Sequence, residues 1–228
     1  MQISDFFPED TSRESLLKVQ RIVSQNAIIK DDFGDIHNIA AADQTFLDER
    51  IISGIVEMDF GSFEILERAF CIQPVSFPYI PTFLSFREGP AIVKSFWKLT
   101  TRPGLLLIDG AGINHPRSAG LATHIGVALD VPTIGITKRI LCGKGAEPSK
   151  VGEASPLVYM GKKVGWLLKS SKNCRPIVVA PGHRVSLETS LSFVKSCLRG
   201  NKLPEPARLA HEFAKGCKKE FEKDHIYH

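Results

Sequence analysis

The 228-residue sequence predicts an α/β protein in which a mixed central β-sheet is flanked by α-helices on both sides. Three observations point there. Three β-like runs, at about residues 38–46, 50–58 and 63–72, follow one another across links as short as Leu47-Asp-Glu49 and Asp59-Phe-Gly61, which favours an antiparallel meander. The all-apolar run 105–108, a helical stretch ending near Leu129 and a strand at 133–136 then come in the order strand, helix, strand, which implies a parallel crossover. Finally, 43% hydrophobic residues in a chain of this length supply one sizeable core, so residues 1–228 are expected to form a single domain.

Element by element, Thr11 or Ser12 caps a first helix by accepting an amide hydrogen of its first turn. Leu16, Val19 and Val23, with Leu17 and Ile22 beside them, recur at helical spacing, and this helix is expected to lie on the sheet. After the meander, residues 74–81 form a proline-punctuated loop. Arg87-Glu-Gly-Pro90 reads as a helix start, with proline in the first turn, Glu88 at the entrance, and Ile92, Val93, Phe96 and Trp97 following. Ser118 is expected to cap the crossover helix. The remainder reads as a hairpin around Met160-Gly-Lys162, a strand at 177–179, a helix from Ser186 to about Arg199 and a last helix after Pro204.

Bulk properties exclude several classes. Twenty-nine Lys and Arg against 25 Asp and Glu give a net charge of +4 and a pI near 8.8, which tolerates a polyanion without demanding one. Cys71, Cys142, Cys174, Cys197 and Cys217 are odd in number and contain no Cys-x-x-Cys pair, so neither a disulfide framework nor a zinc site is indicated. The N-terminus lacks the basic and apolar regions of a secretory signal, and no apolar run reaches the roughly 18 residues of a membrane span. A soluble, cytoplasmic, monomeric protein without a membrane partner is expected.

Three acids stand where a core would not put them: Asp43 inside the apolar run 39–46, Glu88 at a helix mouth, and Asp109 closing Leu105-Leu-Leu-Ile-Asp109. A lone carboxylate in apolar surroundings is costly unless it is paired or binds a cation. Gathered on neighbouring elements, the three would make an oxygen-rich cage suited to Mg²⁺, with Mn²⁺ able to substitute, as in a metal-dependent phosphodiesterase. Individually, Asp43 and Asp109 could equally cap turns and Glu88 complement a helix dipole. The glycine loop Asp109-Gly-Ala-Gly-Ile-Asn-His-Pro-Arg117 offers amides and a guanidinium to phosphate oxygens, while His115 and His124 also fit as hydrogen-bonded core histidines. Pro78-Tyr-Ile-Pro81 stiffens an aromatic tip that could wedge into a base stack or simply cover the core.

Residues 78–90, 109–117, Val131-Pro-Thr-Ile-Gly-Ile-Thr-Lys138 and Pro181-Gly-His-Arg-Val-Ser-Leu-Glu188, taken together, resemble the endonuclease V family over about residues 16–205. The resemblance implies a ribonuclease H-like fold. It also implies a Mg²⁺-dependent endonuclease acting on nucleic acid that contains deaminated adenine (inosine), DNA more than RNA, at the second phosphodiester bond on the 3′ side. On that footing Asp43, Glu88 and Asp109 match the metal-binding acids, and Lys138 and His115 match groups near the scissile phosphate. Tyr79 matches the wedge, with Ile80 beside it, and His183 matches a histidine bordering the site; Arg117 with His115 is expected to hold the strand downstream. The resemblance would place the flipped base among Leu84, Gly110, Gly112 and Leu121, with Thr82 at the edge of that pocket.

Two positions depart from the family pattern. Thr82 stands where glycine is usual, and its branched side chain could narrow the base pocket or restrict the loop; Gln44 replaces the valine after the first acid while the carboxylate stays. Competing expectations are a catalytically silent inosine-binding module, or another ribonuclease H-like nuclease acting on RNA or branched substrates.

Overall fold

The structure, a computed structural model, describes residues 2–226, with side chains through Lys223. One eight-stranded sheet runs in the order β3-β2-β1-β4-β5-β8-β7-β6. Its strands are β1 (Asn38–Leu47), β2 (Arg50–Asp59), β3 (Ile65–Pro74), β4 (Leu105–Asp109), β5 (Thr133–Thr137), β6 (Ala154–Tyr159), β7 (Lys162–Leu168) and β8 (Ile177–His183). β1, β2 and β3 form the expected antiparallel meander, β1, β4 and β5 are parallel, and β8 returns antiparallel to β5. The helices are α1 (Arg13–Asn26), α2 (Leu84–Phe96), α3 (Leu121–Leu129), α4 (Leu187–Ser196) and α5 (Glu205–Ile226).

Alternation along the strands builds a core on each face. Ile39, Ala41, Leu105, Leu107 and Ile136 pack with Val194, Ala207 and Ala210 under α4 and α5. Ala40, Ala42, Leu106 and Ile108 pack with Ile92, Phe96, Leu121 and Ile125 under α2 and α3. No helix among the described residues is long and apolar enough to cross a membrane.

Several local expectations need correction. Helix α1 does not lie on the sheet: Leu16, Val19 and Val23 cluster with Phe77, Phe83, Phe86 and Ala119, so it braces α3 and the loop before α2 as an outer layer. Helix α2 starts at Leu84, a turn earlier than Arg87-Glu-Gly-Pro90 suggested, so Glu88 sits in its second turn and Pro90 is interior. Phe83 φ/ψ and the Phe86 N–H to Phe83 carbonyl bond start that helix from a turn, without a side-chain cap. Ser118 is no cap either: it lies in a left-handed turn (φ 51°), and α3 begins after Gly120. β3 begins two residues late because Asp59 Oδ1 accepts the amides of Gly61 and Ser62, drawing the turn out through Phe63 (φ 62°). The hairpin at Met160-Gly161 is as expected, with φ of 48° and 74° at its two corner residues.

Candidate active site

Asp43 lies in β1 opposite Gly54 of β2, and Asp109 ends the adjoining β4. Both share the strand face of Ile39, Ala41, Leu105 and Leu107, beneath α5. That helix approaches closely because its contact residues are Ala207, Ala210 and Ala214; at Gly54 a Cβ would stand 3.1 Å from the Ala214 backbone nitrogen. The close approach carries His211 onto β1, where its Nδ1–H donates to Asp43 Oδ2, while Asp43 Oδ1 accepts the Gln44 amide at 2.8 Å. Little in the sequence flags His211, a histidine on an amphipathic helix; the small residues around it are the available hint.

Glu88 joins from α2, and its electrostatics place it beside the two aspartates. Burial pushes its carboxyl up to about 8, with the charges of Asp109 and then Asp43 adding to the effect. Burial and then Asp109 likewise raise Asp43, against the lowering exerted by His211 and the Gln44 amide. No hydrogen bond or ion pair among the described residues reaches the Glu88 carboxylate, although the residue is only 9% exposed. Lys138, just beyond β5, sets its Nζ 2.8 Å from Asp109 Oδ2. Burial opposes the charge of that lysine, but Asp109 and, more weakly, Asp43 outweigh it and raise its pKa.

The donor set decides whether a divalent cation fits. Three mutually repelling carboxylates, one without a partner, are hard oxygen ligands of the kind Mg²⁺ and Mn²⁺ take. Their side chains are not drawn into a ready-made cluster: among the described residues no three His, Cys, Asp or Glu groups form a ligating set. Asp109 is turned to Lys138 and Asp43 to His211, the nearest cationic or donor groups, as repelling carboxylates should be. The residues suit the cation by their chemistry, and the charges of Asp109 and Asp43 act on Glu88, although the three side chains are not gathered around one point.

A cavity of about 500 Å³ opens beside Asp109. Tyr79, Ile80, Thr82, Leu84, Gly110 and Leu121 line it, together with His115 and Lys138. On the far rim Ile140 and Leu141, which sequence reasoning passed over, expose apolar side chains towards the same space. Tyr79 stands 68% exposed at the mouth. Gly112 is instead pressed onto β8, where a Cβ would meet the Pro181 carbonyl oxygen at 2.2 Å.

Thr82 is the hub of the loop beside this cavity. A turn closed by the Phe83 amide on the Ile80 carbonyl (3.0 Å) puts Pro81 and Thr82 at its corners, and Thr82 has φ 69°. Proline followed by positive φ is the type II pattern, which favours glycine at the second corner; a β-branched residue there costs on the order of 1–3 kcal/mol. Three donors converge on the Thr82 carbonyl: Gln20 Nε2 at 2.7 Å, His115 Nε2 at 3.0 Å and Arg117 Nη2 at 3.0 Å. Arg117 Nη2 also donates to Thr82 Oγ1 at 2.6 Å and its Nε to Gln20 Oε1. Because a carbonyl only accepts, His115 carries its proton on Nε2, and its Nδ1 accepts the amide of Arg117 at 3.2 Å. Burial takes His115 down to about 4, so at neutral pH it holds the loop as an uncharged ring. His124 is a core histidine, bonded to the Phe6 carbonyl at 2.9 Å.

His183 is not brought to this cluster. It pairs with Thr133 at the start of β5, whereas Lys138 follows the end of β5, roughly 15 Å away at strand rise. Its Nε2 faces Asp130 at 3.3 Å and its Nδ1 accepts the Ile28 amide at 3.2 Å, so it ties the start of the 27–37 segment to β8.

Comparison with known proteins identifies the family. The family profile described as Endonuclease V matches residues 18–212. The endonuclease V of Dictyoglomus thermophilum is 39% identical over 203 residues, covering 89% of this chain and 89% of the relative. A crystal structure of the Bacillus subtilis endonuclease V, 27% identical, superposes with a TM-score of 0.89 over 98% of this chain and 100% of the other. A Ciona intestinalis endonuclease V solved with a 23mer DNA containing an inosine followed by a ribo-adenosine shares the fold at 22% identity and a TM-score of 0.81, over 94% and 100% of the two chains. The fold is ribonuclease H-like, and the chain belongs to the endonuclease V family.

Proposed function

We propose that this protein is a Mg²⁺-dependent endonuclease, with Mn²⁺ as a substitute, that cleaves nucleic acid at the second phosphodiester bond 3′ to deaminated adenine and leaves 3′-hydroxyl and 5′-phosphate ends. The observation that carries this reading is the buried Glu88 carboxyl, without a hydrogen-bond partner among the described residues and raised by burial and by the charges of Asp109 and Asp43, with Asp109 lining a cavity large enough for a base. Asp43, Glu88 and Asp109 would hold the cation, which when bound lowers the pKa of water and offsets charge on phosphate. His211 fixes the rotamer of Asp43, and Lys138 orients Asp109 while placing positive charge where a phosphate would lie.

Tyr79, stiffened between Pro78 and Pro81, would fill the gap left by an extruded nucleotide, and the apolar walls of Leu84 and Leu121 would flank the base. Hypoxanthine presents an O6 acceptor and an N1 donor, so backbone groups at Gly110 and Ala111 can accept it where the amino group of adenine would set donor against donor. The Ciona relative, solved with a DNA containing an inosine followed by a ribo-adenosine, supports inosine-containing nucleic acid as the substrate.

A labelled duplex with one inosine, incubated with Mg²⁺, tests the reading. Nicking one nucleotide beyond the inosine and an intact adenine control are expected. Equal cutting of both would remove the specificity, and tight binding of inosine without nicking in either Mg²⁺ or Mn²⁺ would favour a silent binding module.

A further inference from the structure

We propose that Gln20 of α1, a residue outside the cavity, is a positioning residue for base extrusion from duplex substrates: it locks the Tyr79–Thr82 turn through Thr82 and Arg117. The proposal rests on the inosine reading above, because it is the Tyr79 tip that the lock would hold in place.

Gln20 is fully buried, yet both ends of its amide are committed. Nε2 donates to the Thr82 carbonyl and Oε1 accepts from Arg117 Nε, so one side chain holds the strained corner directly and also aims the guanidinium that holds it a second time. Arg117 lies over the Phe83 ring, 4.8 Å from its centroid, and its hydrogen bond to Thr82 Oγ1 exists only because position 82 carries a hydroxyl. A glycine at this corner would adopt positive φ unaided; a threonine needs outside donors to stay there. From the other side Arg87 Nη1 donates to the Phe77 carbonyl at 2.7 Å, so residues 77–82 are pinned at both ends and Tyr79 projects between the pins. The polar face of α1 thereby acts on the tip, while its apolar face, Leu16, Val19 and Val23, packs beneath the same loop.

A rigid tip matters where a base must be pulled from a stack, and matters little where the base is already unstacked. Substitution of Gln20 by Leu keeps the volume in the core but removes both hydrogen bonds; Gln20→Glu keeps the acceptor for Arg117 and loses only the donor. Nicking of an inosine duplex and of the matched single strand is compared for the wild type, Gln20→Leu, Gln20→Glu and the double variant Gln20→Leu with Thr82→Gly. The lock predicts that Gln20→Leu loses duplex nicking by about tenfold while single-strand nicking stays within about twofold, a difference expected from releasing one strained corner. Gln20→Glu should fall between, and Thr82→Gly should recover most of the duplex loss, since glycine holds the turn without the donors. In parallel, hydrogen exchange of the Phe83 amide, which closes the turn, should quicken in Gln20→Leu. Equal losses on both substrates, or no duplex loss, would overturn the lock. A wild type that cuts neither strand would defeat the inosine reading instead, and an unchanged Phe83 exchange rate would then defeat the lock on its own.

Discussion

The two ends of β5 hold charge in opposite ways. At its start Asp130, Asp31, Asp32, Arg184 and His183 are paired: Arg184 reaches both Asp130 and Asp32, while Asp31 accepts the Ser186 amide and the Thr189 hydroxyl, each at 2.7 Å. Partial burial there works against Asp130 and Asp31, yet the bonds from Arg184 to the former and from Thr189 and Ser186 to the latter win and bring both below the usual carboxylate range. At its far end burial and mutual repulsion win, raising Asp43 and Glu88. Paired charge staples the segment between α1 and β1 to the sheet; at the other end Asp43 is held by His211 and Asp109 by Lys138, while Glu88 has no hydrogen-bond partner among the described residues, the pattern expected of a functional site. The contrast separates a structural cluster from the proposed site more sharply than a count of acids could.

The largest break in that contrast comes from Asp43→Ala. It should lower inosine nicking by about a thousandfold or more while leaving thermal stability equal or improved, because a repelled carboxylate is removed. Nicking rates with a melting curve check both halves. Next, the pH dependence of stability without divalent cations should differ between wild type and Glu88→Gln. A carboxyl whose pKa rises to about 8 on folding binds more protons in the native state, so its contribution is fully present below its unfolded pKa and is lost as pH climbs through about 8. Wild type should therefore fall behind Glu88→Gln in melting temperature between pH 5.5 and pH 8.5, and parallel curves would contradict the raised pKa.

At the paired end, Arg184→Ala should cost about 1–2 kcal/mol by chemical denaturation, limited by the exposure of Asp130, with nicking per folded molecule unchanged. A loss of nicking there would erase the distinction between the two ends. The smallest effect belongs to an exposed pair remote from both, Lys163 with Glu188: Lys163→Ala should shift stability by about 0.5 kcal/mol or less.

Much of this was legible before the fold. The β-like runs and short links announced the meander, and the strand, helix, strand order announced the parallel β4 and β5, because those patterns come from local composition and chain connectivity. Asp43 and Asp109 stood out by their apolar neighbours, and Glu88 by an expected place at a helix mouth that the structure moves into the second turn. What stayed hidden depended on contacts between distant segments. His211 reaches Asp43 only because small residues let α5 settle on β1, and Gln20 meets Thr82 from 62 residues away. Thr82 was noticed as an odd residue for its place; the positive φ that explains it belongs to the folded turn. His183, placed beside the site by resemblance alone, pairs with the start of β5, because motif position in the sequence does not say which end of a strand a residue meets.

The most direct measurement is a calorimetric titration of the protein with Mn²⁺ at pH 7, repeated in two buffers of different ionisation enthalpy. Since Glu88 is mostly protonated at that pH, binding through Asp43, Glu88 and Asp109 should release a proton, strengthen as pH rises towards about 8, and vanish in Asp43→Ala. Binding that releases no proton and survives Asp43→Ala would mean that the three carboxylates do not share a cation.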